Sequence, residues 1–583
     1  MKRLSILWQF IRENIRRYLV GIIVLIGVDV IQLIMPKIIG RVADRLQEGH
    51  LAASDLSRFS LCIVALALAM AVGRYVWRMK VMGAARLMDC GLRGKLFLKL
   101  QTLSAEYFNK HKTGDLMAHA TNDIQAMRMA AGPGVAMCVD SLFLTSMTIA
   151  IMAGTISWRL TLLALIPMPF LLLISIFFGR RIHDRFKTVQ DSFAKMTDKV
   201  QENLAGARVV KSFVQEEAEI KAFTTKSLDN VYLNMRLIRL SGLFQPLLSL
   251  LGNLSFIIVL AYGGICVVGG TITLGGFVAA LNYLGLLIWP MTAFGWVINI
   301  IQRGIASLDR LEQIFTEKPA VTDSPEAVPI PALEGEVILR DLSFTYPGAD
   351  RPALRGINLT LKKGTTLAII GRTGAGKSTL VHLLLRLYNP PAGSILADGH
   401  DINLIPLQTL RKCVGFVPQD NFLFSTTIRE NIGFAGTAYP DGEIETAAAA
   451  ARVDENIMEF PRGMATVVGE RGVTLSGGQK QRTCLARALI KDPRVLILDD
   501  CLSAVDTHTE EEILRGLKQV SATRTCIIIS HRISSIQWAD EIIVLEAGRI
   551  IERGTHEILL ANDGLYAELY RKQLLEEEIA TTE

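Results

Sequence analysis

A long stretch without charged residues constrains this chain more than any other feature. From Leu240 to Gln302 there is no Asp, Glu, Lys or Arg. A water-soluble domain needs charged side chains on its surface, so a run of this length is typical of helices that face lipid. A turn-rich segment, Gly269–Gly276 (GGTITLGG), divides the run into two candidate membrane crossings.

Four more apolar stretches of crossing length precede this run. A helix needs about 20 apolar residues to span the hydrocarbon core of a bilayer. We therefore predict six spans, near Tyr18–Ile39, Leu56–Trp77, Ala130–Ser157, Leu160–Phe178, Ser241–Val268 and Gly276–Ile301. The segment before Tyr18 lacks an apolar core followed by a small-residue cleavage site, so we expect an interfacial amphipathic helix there rather than a signal peptide.

The positions of Lys and Arg residues indicate which side of the membrane each loop occupies. Residues 74–128 hold ten of them, and residues 180–239 hold twelve. Under the positive-inside rule both segments are cytoplasmic, and six crossings return the chain to the cytoplasm before its second half. The same loops largely account for the net charge of +6, so no nucleic-acid partner is expected.

These two basic cytoplasmic segments are too long to be simple connections. They show helical periodicity without strong helix breakers, so we predict that the membrane helices continue into the cytoplasm, turn and return. The tips, near Thr113–Asp123 and Ser212–Ile220, are then expected to contact the domain beneath them. Solvated helical hairpins are the alternative.

The second half of the chain contains a P-loop pattern. After a proline-containing stretch, residues 318–335, β-rich segments lead to Gly371–Ser378 (GRTGAGKS), which fits GxxxxGK[ST] between an apolar strand and a helix. In a P-loop the glycines let backbone N–H groups approach the phosphates, Lys377 reaches the β- and γ-phosphates, and the Ser378 hydroxyl binds Mg²⁺. The pattern therefore predicts a site for ATP and Mg²⁺.

A second apolar strand, Arg494–Asp500 (RVLILDD), ends in two carboxylates. Such a strand belongs first to the core of a sheet. Asp499, however, stands at its carboxyl end, where an acid that orients Mg²⁺ is needed beside a P-loop. Together with the P-loop, this strand strengthens the prediction of a nucleotide site.

A third motif, Leu475–Arg482 (LSGGQKQR), precedes this strand and identifies a family. With it, the second half resembles the nucleotide-binding domain of ATP-binding cassette (ABC) transporters, whose signature loop is LSGGQ. Six spans followed by one cassette is the layout of exporter-type ABC half-transporters, and the whole chain is most similar to bacterial heterodimeric multidrug-resistance-like proteins. The resemblance thus extends over essentially all residues.

The resemblance implies a fold and a location. Residues 1–317 would form an all-α polytopic transmembrane domain with long cytoplasmic extensions, residues 318–335 a linker, and residues 336–583 an α/β P-loop ATPase domain. The protein would cross the bacterial cytoplasmic membrane several times, in contact with membrane lipid, and its ATPase domain would lie in the cytoplasm.

The family pattern also implies roles for individual residues. Tyr346 would stack on adenine, His531 would contact the γ-phosphate as the switch histidine, and Asp500 occupies the position of the hydrolytic acid. Glu470 lies at the centre of a loop that couples to the membrane part. The residues that would bind nucleotide in this chain or in its dimer partner are Gly371, Arg372, Thr373, Gly374, Ala375, Gly376, Lys377, Ser378, Thr379, Ser476, Gly477, Gly478, Gln479 and Asp506. Those that would contact Mg²⁺ are Ser378, Gln419 and Asp499, and Gln419 would also sense the attacking water.

Asp500 departs from the family pattern, which usually has Glu at this position. One methylene fewer withdraws the carboxylate by about 1.5 Å, and a misplacement of about 1 Å can lower a rate on the order of 10²-fold. In heterodimeric members the subunit with Asp here usually keeps a good signature loop, whereas its partner has Glu. We therefore expect a different half-transporter as partner; a homodimer that uses Asp500 as a serviceable base is the alternative.

The resemblance implies an ATP-driven exporter for drugs, lipids or other amphipathic small molecules. A siderophore importer with the exporter fold and a channel gated by ATP are the alternatives. Asp29 and Asp140 fall within predicted spans, where a carboxyl group is costly. Each is therefore either a cavity contact for a polar or cationic substrate or a buried structural acid.

Overall fold

The computed structural model describes residues 5–49, 52–327, 330, 332–436, 439–469, 472, 475–501, 510, 512–516, 518 and 524–582, without the side chains of residues 5–8, 172 and 576–582. The chain forms two compact units. The first comprises Met1–Gln101 and Thr113–Glu317, and the second comprises Thr102–Lys112 and Lys318–Glu583.

The first unit is built from helices. Six are long and apolar enough to cross a membrane, as the sequence predicts: α2 (Ile15–Gln47), α3 (Ala53–Thr102), α5 (Thr113–Thr155), α6 (Trp158–Ala205), α8 (Glu216–Val268) and α9 (Leu274–Thr316). Two shorter helices are α1 (Ser5–Glu13) and α7 (Ala207–Ser212), and a third, α4 (Ala105–Lys110), belongs to the second unit. Because α3 and α8 have 50 and 53 residues, they are much longer than one bilayer crossing requires.

Close backbone contact joins α2 to the beginning of α9. A Cβ atom added to Gly275 would lie only 2.0 Å from the carbonyl oxygen of Gly40. The Asp44 carboxylate accepts hydrogen bonds from the Gly275 N–H (2.6 Å) and from the Thr273 hydroxyl (3.2 Å). This carboxylate of α2 therefore satisfies a backbone donor in the first turn of α9.

An ion pair between a buried carboxylate and an exposed arginine joins α5 to the other half of α9. Asp123 lies in a π-helical stretch of α5, His119–Asp123, and is 7% exposed. Its carboxylate accepts two hydrogen bonds from Arg310 (2.5 and 3.0 Å) and one from the Ser307 hydroxyl (2.9 Å), and Nδ1 of His119 lies 2.7 Å away. The charge is thus compensated by several polar contacts, as burial of a carboxylate requires.

The two acids within the predicted spans are in contact with each other. Asp29 of α2 is 1% exposed, and its side chain forms a hydrogen bond with that of Asp140 in α5, with Arg74 of α3 nearby. The two carboxyl groups thus lie next to each other between α2 and α5.

Two β-sheets form the frame of the second unit. A four-stranded antiparallel sheet has the order β2 (Leu354–Leu361), β1 (Val337–Phe344), β4 (Ile395–Ala397) and β5 (His400–Asp401). A six-stranded sheet has the order β10 (Arg549–Gly554), β9 (Glu541–Glu546), β3 (Thr366–Gly371), β8 (Thr525–Ile529), β7 (Val495–Asp499) and β6 (Val414–Val417). All neighbours in this second sheet are parallel except β10 and β9.

The central strands are buried on both faces. Every residue of β3, β7 and β8 is buried, which explains their continuous apolar sequences. Alternate residues enter two different hydrophobic cores: Leu496 and Leu498 join one, whereas Val495 and Ile497 join the other. Around the sheets lie α10 (Lys377–Leu384), α11 (Leu407–Cys413), α12 (Ile428–Ile432), α13 (Asp441–Ala450), α14 (Asp454–Met458), α15 (Gly477–Leu489), α16 (His556–Ala561) and α17 (Leu565–Thr582).

The two compact units divide the first cytoplasmic segment between them. Its predicted tip, Thr113–Asp123, lies in α5 of the first unit, whereas Thr102–Lys112 belongs to the unit with the two sheets. In α4 of this segment, the Asn109 amide donates a hydrogen bond to the Tyr388 hydroxyl (2.8 Å). Residues 102–112 thus belong to the same compact unit as residues 318–583.

Substitution of Gly275 by alanine is expected to destabilise the first unit. The added methyl group meets the backbone of Gly40, which cannot rotate away, and overpacking of this kind typically costs about 1–3 kcal/mol. Thermal unfolding of the full chain in detergent should show a lower midpoint than the wild type. Gly264→Ala in α8 is the matched control, because no atom lies within 4 Å of its added Cβ. Equal midpoints for the two variants would contradict the close contact of α2 and α9.

Candidate nucleotide site

Of the five parallel strands in the six-stranded sheet, four (β3, β8, β7 and β6) are followed by predicted site residues at the same edge. In the register of the sheet, Ile529 of β8 is opposite Ile369 of β3 and Asp499 of β7, and Leu498 of β7 is opposite Val417 of β6. Open parallel sheets bind their ligands beyond the carboxyl ends of the strands. The loops that follow these strands therefore meet in one place.

The loop after β3 has the backbone of a phosphate-binding turn. Gly374 and Gly376 adopt positive φ angles of 82° and 103°, which favour glycine. A Cβ atom on Gly376 would also lie 2.7 Å from the carbonyl oxygen of Ala353. The helix α10 then begins at Lys377, so its first N–H groups are directed toward the loop.

Lys377 is held inside this loop. Its ammonium group is buried and donates hydrogen bonds to the carbonyl oxygens of Gly371 (2.6 Å) and Arg372 (3.2 Å). Burial lowers the pKa of Lys377, and the charges of Asp499 and Asp500 act in the opposite direction. The ammonium group thus lies in the same cavity as both carboxylates.

The predicted residues from all four strand ends line one cavity of about 350 Å³. Its lining consists of Tyr346, Ala353, Thr373, Gly374, Ala375, Gly376, Lys377, Ser378, Thr379, Gln419, Asp499, Asp500 and His531. Of the predicted P-loop residues, Gly371 and Arg372 are outside this lining, and the Arg372 side chain is exposed and lies 3.7 Å from Glu568.

The donor set in the cavity fits a hard divalent cation. Asp499 is 5% exposed and forms a hydrogen bond with Ser378. Burial raises the pKa of Asp499, whereas the Ser378 hydroxyl and the charge of Lys377 favour its ionised form. Gln419, which follows β6, lines the same cavity. A hydroxyl, a carboxylate and an amide oxygen are ligands that Mg²⁺ accepts beside phosphates.

Asp500 is oriented by the neighbouring strand. Its N–H donates a hydrogen bond to the Ile529 carbonyl oxygen (2.9 Å), and its φ angle of 48° lies in the left-handed region. Aspartate tolerates this region better than most residues. The hydrogen bond to β8 thus determines where the side chain of Asp500 begins. The length of that side chain determines how far the carboxylate extends.

Tyr346 belongs to a cluster of aromatic and polar groups, of which the sequence pattern predicts only Tyr346 and Thr379 as site residues. Its hydroxyl donates to Thr379 Oγ1 (3.2 Å) and lies 3.3 Å from Nδ1 of His382, and its ring is perpendicular to that of Tyr388, 5.0 Å away. Burial raises the pKa of Tyr346 and lowers that of His382. His382 could have been found from its spacing, because it lies four residues after Ser378 on the same side of α10.

The signature residues form the beginning of another helix. Ser476 caps α15: its hydroxyl accepts the Gln479 N–H (3.2 Å), and the Gln479 side chain accepts the Ser476 N–H (2.9 Å). Gly477 and Gly478 form the first turn. None of these four residues lines the cavity at the P-loop. Two other predicted residues, Glu470 and Asp506, lie outside the described residues.

Family models match both halves of the chain. One described as "ABC transporter transmembrane region" matches residues 18–291, and one described as "ABC transporter" matches residues 354–503. A solved structure titled "Structure of a bacterial Atm1-family ABC exporter with ATP bound" superposes with a TM-score of 0.78 and 27% identity, covering 96% of this chain and 98% of that one.

Similar proteins of known sequence extend over nearly the same length. The probable multidrug resistance ABC transporter ATP-binding/permease protein YheI of Bacillus subtilis is 40% identical, over 96% of this chain and 95% of its own. The multidrug resistance-like ATP-binding protein MdlA of Escherichia coli is 40% identical, over 98% and 96%. An ATP-dependent lipid A-core flippase of Syntrophus aciditrophicus is 36% identical, over 84% and 81%. With six membrane helices and one ATPase domain, the chain belongs to the ABC transporter family as an exporter-type half-transporter.

Proposed function

We propose that this chain forms one half of an exporter for amphipathic small molecules, in which a second half-transporter completes both nucleotide sites. The observation that carries the proposal is the separation of the signature residues, Ser476–Gln479, from the cavity that contains the P-loop. In the family, a signature loop closes over nucleotide bound to the other subunit. Each complete nucleotide site, with a P-loop from one chain and a signature loop from the other, therefore needs a second chain.

Mg²⁺ is proposed to accompany ATP in this site. The Ser378 hydroxyl and the Asp499 carboxylate would hold it, with Gln419 at its side, because these groups share one cavity and two of them are already hydrogen-bonded. The ion would neutralise phosphate charge and align the phosphoryl group for attack. Lys377 would contribute a second positive charge in the same cavity.

The partner is proposed to be a different chain that has Glu where this chain has Asp500. The backbone of Asp500 is fixed by Ile529, so the shorter side chain is not offset by a shift of the main chain. A carboxylate withdrawn by about one bond would position the attacking water poorly. This chain would then hydrolyse its own ATP slowly, while its capped signature helix serves the site of the partner.

ATP binding would close the two cassettes on each other, and hydrolysis would release them. Binding energy shifts such an equilibrium only through contacts that differ between the two states, and the contacts between the P-loop and the opposite signature meet this condition. The tip of the second cytoplasmic segment carries exposed apolar side chains, with Phe213 at 72%, Val214 at 79% and Ile220 at 64%. We propose that this tip contacts the cassette of the partner.

The proposed substrate class rests on a cavity in the first unit. A space of about 660 Å³ lies between α8 and α9, and its walls include Trp289 and Trp296, whose rings are perpendicular with centroids 6.4 Å apart. Gln245, Asn253 and Thr292 add polar groups to the same walls. Such a cavity fits a molecule with an aromatic or aliphatic body and a few hydrogen-bonding groups. Asp29 and Asp140 do not line it.

Asp500→Glu is expected to raise the rate of ATP hydrolysis by the purified full chain about tenfold or more, because the longer side chain restores the reach of the carboxylate. Phosphate release in the presence of Mg²⁺ measures this rate, and Lys377→Ala gives the background. Asp500→Asn is the matched control, since it keeps the length of Asp and removes the charge; it should not exceed the wild type. An unchanged rate in Asp500→Glu would contradict the proposal of unequal sites.

The chain expressed alone tests the proposed partner. We expect it to hydrolyse ATP slowly and without stimulation by substrate, because both sites of a homodimer would contain the short acid. Mass measurement in detergent and turnover with increasing concentrations of an amphipathic dye are the two readouts. A stable homodimer with brisk, substrate-stimulated turnover would support the homodimeric alternative instead.

Trp289→Ala is expected to reduce ATP-driven movement of an aromatic amphipathic dye several-fold, because one aromatic contact contributes on the order of 1 kcal/mol. The assay uses inside-out vesicles that contain this chain and its partner half-transporter. Trp158→Ala, which alters an exposed tryptophan outside the cavity, is the control and should leave transport unchanged. Accumulation of dye inside the vesicles indicates export, and ATP-dependent loss of preloaded dye would indicate import. Equal effects of the two substitutions would remove the cavity from the proposal.

A further inference from the structure

The segment that carries His531 is held by a side chain from a distant part of the sequence. His531 lies two residues after β8, and its side chain is exposed at the cavity. The Gln573 amide of α17 donates a hydrogen bond to the His531 carbonyl oxygen and accepts one from the Ile533 N–H (2.8 Å). One side chain thus binds a donor and an acceptor of the same turn.

The helix that supplies Gln573 is firmly attached to the second unit. Tyr566 in its first turn is fully buried in the same hydrophobic core as Ile533, and its hydroxyl lies 2.7 Å from Nδ1 of His556. The Glu552 carboxylate accepts the N–H groups of Leu565 (2.6 Å) and Tyr566 (3.3 Å) at the start of the helix. These contacts fix α17 at its beginning.

Helical spacing then determines where Gln573 lies. It follows Tyr566 by seven residues, which is two helical turns, so both side chains lie on the same side of α17. That side faces the core and the turn after β8. Glu568, from the intervening turn, lies 3.7 Å from Arg372 of the P-loop segment. The helix is therefore in contact with two segments that flank the nucleotide cavity.

We infer that Gln573 is a positioning residue for the switch histidine: its amide fixes the backbone of residues 531–533 and so holds the His531 imidazole where it can reach the γ-phosphate. The inference rests on the proposed role of His531. It concerns hydrolysis rather than ATP binding, because Gln573 contacts the His531 turn and does not line the cavity. Without the amide, the imidazole would sample positions beyond contact distance of the phosphate.

Two substitutions separate the hydrogen bonds of Gln573. Gln573→Leu removes both at similar volume. Gln573→Glu keeps the acceptor for Ile533 and places a carboxylate oxygen against the His531 carbonyl, so it should impair hydrolysis at least as much. Leu575→Ala on the same helix, where Leu575 is 58% exposed, is the control for general effects on α17.

The test uses the purified full chain with Mg²⁺ and limiting ATP, so that one turnover at a slow site is measured directly. We expect Gln573→Leu and Gln573→Glu to lower the single-turnover rate about tenfold, with the dissociation constant for ATP within about twofold of wild type. Leu575→Ala should match the wild type in both. A rate for Gln573→Leu within about twofold of wild type would overturn the inference.

The His531→Ala background distinguishes positioning from a general loss of structure. If Gln573 acts through the imidazole, adding Gln573→Leu to His531→Ala causes no further loss of rate. A further tenfold loss would show that Gln573 acts independently of His531 and would overturn the inference, even if the variant is less stable. If His531→Ala alone keeps the wild-type rate, it is the proposed role of His531 that fails, whatever the effect of Gln573.

Discussion

The nucleotide site depends on the parallel alignment of β3, β8, β7 and β6. This alignment brings the P-loop, Gln419, the two aspartates and His531 to one edge of a sheet, although they are widely separated in the sequence. Because side chains alternate along a strand, a shift of β7 by one residue would turn Asp499 toward the opposite face. The two hydrophobic cores oppose such a shift, since it would exchange the residues that each core receives.

The first unit satisfies a different constraint, because a lipid environment supplies no partners for polar groups. Its helices bond their own backbones, and two of its buried carboxyl groups have polar neighbours: Asp123 pairs with Arg310, and Asp29 lies beside Asp140. Helix α9 also receives Asp44 at its beginning. The polar contacts of Asp44 and Asp123 thus lie near the two ends of α9, whereas the middle of this helix provides the tryptophans of a cavity. This division suits a helix that is anchored at its ends and open to a ligand in between.

The P-loop and the six spans could be predicted from the sequence, because each depends on a local pattern of apolar residues, glycines or carboxylates. Contacts between distant segments have no such pattern in the sequence. Periodicity predicted helices in the first cytoplasmic segment but not that α4 would pack in the second unit, since any turn of a helical hairpin has the same pattern. Gln573 and Tyr388 were likewise missed, because an amide or a phenol has no distinctive spacing until the fold brings it to its partner.

The position of Asp500 and the reach of its carboxylate are determined separately. The hydrogen bond from the Asp500 N–H to the Ile529 carbonyl oxygen fixes the main chain of Asp500 at the end of the sheet. The left-handed backbone there favours aspartate but does not require it. How far the carboxylate extends depends only on the length of the side chain. The signature residues, in turn, are ordered by the reciprocal cap of Ser476 and Gln479, which involves neither the P-loop nor the acid. A single chain can therefore combine an intact signature with a short acid without disturbing its fold, which is the physical condition for a transporter with two unequal sites.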